Sequence, residues 1–189
     1  MKIKIIIAIL LIGVSFTGCT KNSQTSAMDP ASNTDSGGDG DSDTSGSNDA
    51  AYANVTKIPE ITGDAGAYTF NVTVESSDID CSQFANWWEV LSEDGELIYR
   101  RILQHPHTDA NGTSDPDAPG NTFTRDGGPV AIDSDEVVIV RAHMSNGGYN
   151  GTVLRGSVDS GFTEATDIAS TFASSVETKL PLPDGCIEM

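Results

Sequence analysis

Apolar and polar residues alternate along residues 67–75: Tyr68, Phe70, Val72 and Val74 take one parity, and Thr69 and Asn71 begin the other. A period of two with β-branched and aromatic residues predicts a half-buried strand. Residues 87–91 and 96–103 read as a second and third strand, reversed at Asp94-Gly95. Asp-Gly favours a hairpin because both residues tolerate positive φ. The segment from Glu136 to Met144 holds a Val-Val-Ile-Val run and predicts a central strand, and residues 152–158 predict another. Gly127-Gly128-Pro129 and residues 147–151 read as turns, and residues 109–120 as a long polar loop. Phe162, Ala165, Ile168, Ala169 and Phe172 fall near helical spacing, so a short helix is expected within residues 163–176. The end, residues 179–189, reads as a Pro-rich extended tail.

Short strands divided by turns predict an all-β fold: an antiparallel β-sandwich, immunoglobulin-like, with a small β-barrel or jelly roll as the alternative. The folded domain is expected over residues 54–189. Before it, residues 35–49 contain no apolar side chain. Such a stretch buries too little surface to offset the entropy of ordering, so residues 19–53 predict a disordered acidic stalk. Asp39, Asp41 and Asp43 have the spacing of calcium ligands, but Thr44 stands where the turn glycine is needed and Ala50 where the bidentate glutamate belongs. A solvated linker is the better reading.

The chain opens with Lys2 and Lys4 and an apolar run from Ile5 to Val14, ending at Ser15-Phe16-Thr17-Gly18-Cys19. The run has signal-peptide length and is too short for a stable bilayer span. The sequence up to Cys19 resembles the lipobox of bacterial lipoproteins, with Phe16 where leucine is usual. The resemblance implies a signal peptide over residues 1–18, cleavage after Gly18, and acylation of Cys19. Thr20 follows in place of aspartate, which implies sorting to an outer membrane where the source has one. Multiple acyl chains would make the anchor firm.

The formal net charge is −18, from 10 basic and 28 acidic residues. Such a balance argues against nucleic acid and anionic membrane surfaces as charge partners. The chain has three cysteines. With Cys19 acylated, an exported protein predicts a Cys81–Cys186 disulfide.

Two clusters carry candidate chemistry. His105 and His107 are two apart on one strand end, so their imidazoles share a face, and His143 ends the Val-rich strand. Were those strands neighbours, three imidazoles would meet at one rim as a zinc or copper site. The commoner reading is histidines hydrogen-bonded to backbone. Arg100, Arg101, Arg125, Arg141 and Arg155 all lie in the middle of the domain. Guanidinium forks suit carboxylate or phosphate, so the functional reading is a site for an anionic small molecule, a saccharide or an envelope protein; the favoured reading is cross-strand ion pairs with the many acids. Strand parity groups Arg101 with Tyr99, His105 and His107, and Arg141 with His143; one sheet face is expected to hold both clusters. Trp87 and Trp88 point to opposite faces. Four Asn-x-Thr sequons, at Asn54, Asn71, Asn111 and Asn150, are ordinary for this composition. Nucleophile-elbow, P-loop, Rossmann and HExxH motifs are absent. The sequence therefore favours a non-enzymatic binding or envelope-structural module, with metal binding second and a histidine-based hydrolase third.

Overall fold

Residues 68–74 bury Tyr68, Phe70, Val72 and Val74, as their alternation dictates, and form the middle strand of a three-stranded sheet. A computed structural model describes residues 50–108 and 121–188. The leader, most of the stalk with its aspartate spacing, the 109–120 loop and Asn111 lie outside the described residues. Eight strands follow in order: β1 Ala53–Thr62, β2 Tyr68–Ser76, β3 Ala85–Ser92, β4 Leu97–Ile102, β5 Asn121–Val130, β6 Val138–Met144, β7 Leu154–Ser157 and β8 Gly161–Glu164. A five-residue 3-10 turn, η1, covers Ser174–Thr178.

The strands pair antiparallel in two sheets, β1-β2-β5 and β4-β3-β6-β7-β8. This is the immunoglobulin-like order, with β1, β2 and β5 in the places of strands A, B and E, and β4, β3, β6 and β7 in those of C′, C, F and G. Phe70, Val72, Val74, Trp88, Val90, Phe123, Val138 and Val140 fill the space between the sheets. Trp88 on β3 is fully buried, the position of the core tryptophan in this architecture.

Several expectations need correction. Gly127-Gly128-Pro129 is not a turn: β5 continues through it to Val130. The strand lies at a sheet edge, where proline's missing N–H costs no ladder bond. The hairpin at Asp94-Gly95 uses one positive φ, at Gly95 (+82°). Gly95 N–H donates to Ser92 O (3.0 Å), and Ser92 N–H to Glu96 O (3.0 Å), an ordinary turn closed by a left-handed glycine. The expected helix over 163–176 is absent. Its place is taken by β8 and an irregular segment ending in η1.

That segment is a strap. Ile168, Phe172, Ala173 and Val176 pack on the outer face of the five-stranded sheet, against Trp87, Leu91, Ile139 and Tyr149. Their spacing reflects docking onto a sheet rather than helical periodicity. Beyond η1 the tail returns to the sandwich: Ile187 N–H donates to Gln104 O (2.7 Å), and Cys186 is disulfide-bonded to Cys81. The bridge closes a loop 105 residues long, worth about 4–5 kcal/mol in the chain-entropy model.

Gly127 has an ordinary negative φ, so its reason is packing. A Cβ there would lie 2.5 Å from Trp88 Cζ2 and 2.8 Å from Tyr99 Cε1. Overpacking a rigid core costs about 1–3 kcal/mol. Gly127→Ala is therefore expected to lower the free energy of unfolding by that amount, read as a lower urea midpoint at unchanged slope; an unchanged midpoint would show that the indole has room to move.

Candidate functional site

The outer face of the five-stranded sheet carries a row of charges set by strand register. Glu89 on β3 pairs with Arg100 on β4 and with Arg141 on β6. Directly opposed residues share a face, so the carboxylate sits between two guanidiniums. Arg100 donates from Nε (2.9 Å) and Nη2 (2.6 Å) to Glu89 Oε2. Arg141 donates from Nε to Oε1 (2.9 Å), with Nη2 2.8 Å from the same oxygen. Glu89 is 0 % exposed, Arg141 1 % and Arg100 4 %.

Two guanidiniums carry more donors than one carboxylate can accept, and buried donors need partners. The strap supplies them as carbonyls. Arg100 donates to the carbonyls of Val176 (2.8 Å), Lys179 (2.7 Å) and Pro181 (3.1 Å). Arg141 donates to those of Phe172 (2.5 Å) and Ala173 (3.4 Å). Ala173 has φ +46°, a left-handed conformation that costs a non-glycine residue about 1–2 kcal/mol. Gly95 makes room for it, since a Cβ on Gly95 would meet Ala173 Cβ at 2.7 Å.

Around this row the aromatic residues stack. His143 lies flat on Trp87, ring centres 3.8 Å apart at 8°. The Arg100 guanidinium is 4.4 Å from the Trp87 ring centre, and that of Arg141 is 3.4 Å from the Tyr149 ring centre. Burial, and then the Glu89 carboxylate, push the Tyr149 hydroxyl up to about 12.

The expected three-histidine centre does not form. His143 sits on the outer face, its Nδ1 2.7 Å from Asn86 Oδ1 and its Nε2 3.4 Å from Glu177 Oε1. His107 stacks on Phe123 of the other sheet, 3.5 Å between ring centres, and its backbone N–H donates to Asp78 Oδ2 (2.8 Å). His105 stays beside His107, at 4.6 Å. Among the described residues no group of three or more His, Cys, Asp and Glu side chains could hold a metal ion.

The expectation that one face holds both clusters also fails. Arg101 registers with Trp88, on the inward parity, whereas Arg141 registers with Glu89, on the outward one. The five arginines therefore divide. Arg100 and Arg141 are consumed by Glu89 and the strap. Arg155 pairs with Asp167 at 3.0 Å on the surface. Arg101 is exposed and Arg125 half-buried, and among the described residues neither has a carboxylate partner. Sequence reasoning does not single out Glu89. The available signal is a lone acid sharing the parity of Trp87 and Leu91 within an apolar strand.

A separate open groove of about 390 Å³ lies where β1 meets the β6–β7 connection, lined by Tyr52, Asn54, Asn150, Thr152, Glu164 and Thr166 among others. Asn54 Oδ1 accepts from Thr152 N–H (2.8 Å), and Asn150 Nδ2 donates to Ala51 O (3.1 Å), so much of its polar lining ties the strand to the loop.

Burial holds both His107 and His143 below the ordinary imidazole value of 6.5; the Asp78 carboxylate opposes this at His107, and Glu177 at His143. A depressed folded value means the unfolded chain takes up the proton first. The stability tied to these neutral rings is thus fully present above about pH 6.5 and is lost as pH falls through their folded values. Unfolding free energy is expected to drop as pH falls below about 6.5, and a His107→Gln/His143→Gln variant to show a flatter slope. An unchanged slope would mean that other groups control it.

Neither a family model nor a solved structure matches this chain. A protein of Halomicrobium mukohataei named "Putative lipoprotein" is 29% identical over 117 residues, which is 62% of this chain and 53% of that protein. The chain thus spans about half the length of the curated relative it matches.

Proposed function

We propose that this protein is a lipid-anchored component of the cell envelope that displays a non-enzymatic β-sandwich as a binding or envelope-structural module. In this reading Cys19 carries the acyl chains and residues 19–53 are the tether. The similarity to the Halomicrobium mukohataei protein named as a lipoprotein carries it. The cysteine pattern supports it: Cys81 and Cys186 bond to each other, leaving Cys19 as the third cysteine of the chain and the one that ends the apolar leader. A disulfide also fits an exported protein. The binding role rests on the architecture and on the side chains left unpaired at its edge, since a fold alone fixes no function.

Detergent phase partitioning of the protein made in its own host tests the anchor. The native chain is expected in the detergent phase, with an N-terminal peptide whose mass carries acyl groups on Cys19. Cys19→Ala is expected to move the protein to the aqueous phase or leave it unprocessed with its leader. A processed native protein in the aqueous phase, with an unmodified cysteine, would refute the anchor.

A further inference from the structure

β4 and β5 are edge strands of opposite sheets that lie against each other, and Arg101 stands on one and Arg125 on the other. Arg101 shares the inward parity of Trp88, and Arg125 that of Val72. At an edge, inward parity leaves a long side chain lying over the opening between the sheets with its charged end toward water.

Their electrostatic setting is unusual for this molecule. The formal net charge is −18, and the other three arginines each hold a carboxylate. Among the described residues Arg101 and Arg125 have none. Arg125 has a like charge nearby instead: burial, and then the Arg101 guanidinium, lower its pKa. Arg125 makes one bond, Nη1 to Thr124 O (2.9 Å), and lies 5.5 Å from the Phe123 ring centre, leaving most of its fork unused. His107 stacks on that same Phe123, with His105 beside it. Among the described residues, Asp78 and Asp126 are engaged elsewhere. Asp78 accepts from the backbone N–H groups of Ala85 (2.7 Å) and His107 (2.8 Å), and Asp126 accepts from Asn71 on the other side of β5.

We propose that Arg101 and Arg125 form a binding site for an oxyanion, a carboxylate or phosphate group borne by an external ligand. Two adjacent forks with free N–H groups match the paired oxygens of such a group bidentately, and the anion removes their mutual repulsion. The inference deepens the binding-module reading and rests on it for the ligand being external. It does not depend on the lipid anchor.

The test is calorimetric titration of the full-length detergent-solubilised protein at low ionic strength, with inorganic phosphate and, separately, digalacturonate. Saturable one-to-one binding of at least one probe is expected, and which probe binds tells phosphate from carboxylate. Binding should weaken at least tenfold in Arg101→Gln, whose side chain is exposed, and in Arg125→Gln. It should persist in Arg155→Gln. Binding of neither probe, or equal weakening in Arg155→Gln, would overturn the site. So would binding that appears only in an Asp109→Asn/Asp115→Asn/Asp117→Asn variant, because the chain's own acids would then be the ligand. Detergent partitioning of the same samples reads the anchor independently, so failure of the site and failure of the anchor are distinguishable.

Discussion

A carboxylate with no access to water, held between two guanidiniums, is the constraint around which the outer half of this structure is arranged. Taking three charges out of water is expensive, and their mutual attraction offsets it only when geometry is good and every remaining donor is satisfied. Glu89 supplies the geometry, because register places it directly opposite Arg100 and Arg141. It cannot supply enough acceptors. Five backbone carbonyls of the strap and tail do, from Phe172, Ala173, Val176, Lys179 and Pro181. The charges therefore require the strap as much as the strap requires the charges.

The mutual requirement explains several local features that are costly alone. Ala173 adopts a left-handed conformation because that points its carbonyl, and that of Phe172, at Arg141. The hairpin glycine at Gly95 is needed twice, for its own positive φ and to clear Ala173. The disulfide anchors the far end of the same tail beside the β2–β3 connection. A face that an isolated sandwich would leave to solvent thus becomes a second core, with Trp87, Leu91, Ile139, Tyr149 and Val176 inside it. The arginines spent there are unavailable to any ligand, and among the described residues the two arginines without a carboxylate partner are Arg101 and Arg125, on β4 and β5.

Much of this was readable from the residues. β2, β3, β4, β6 and β7 show the alternation or β-branching that strands require, and the cysteine count pointed to the bridge that forms. β5 was hidden because Gly127-Gly128-Pro129 has turn chemistry; its meaning is tertiary, an edge strand giving room to Trp88 and Tyr99. The strap imitates a helix because apolar residues three to four apart also suit a chain folded irregularly onto a flat sheet. The histidine cluster failed on register. Parity within one strand says which residues share its face, but not which strands adjoin, so His143 could not be placed relative to His107 without the pairing. The same limit hid Glu89, whose role exists only once β3 lies between β4 and β6.

The central claim is that Glu89, through the two arginines, holds the strap on the sheet. Hydrogen exchange of residues 165–187 in the native protein and in Glu89→Gln tests it most directly. The account predicts that losing the carboxylate charge speeds exchange across the strap by at least tenfold, while the amides of β2 keep their protection. Strap protection unchanged in the variant would contradict it, and would mean that apolar packing and the disulfide suffice.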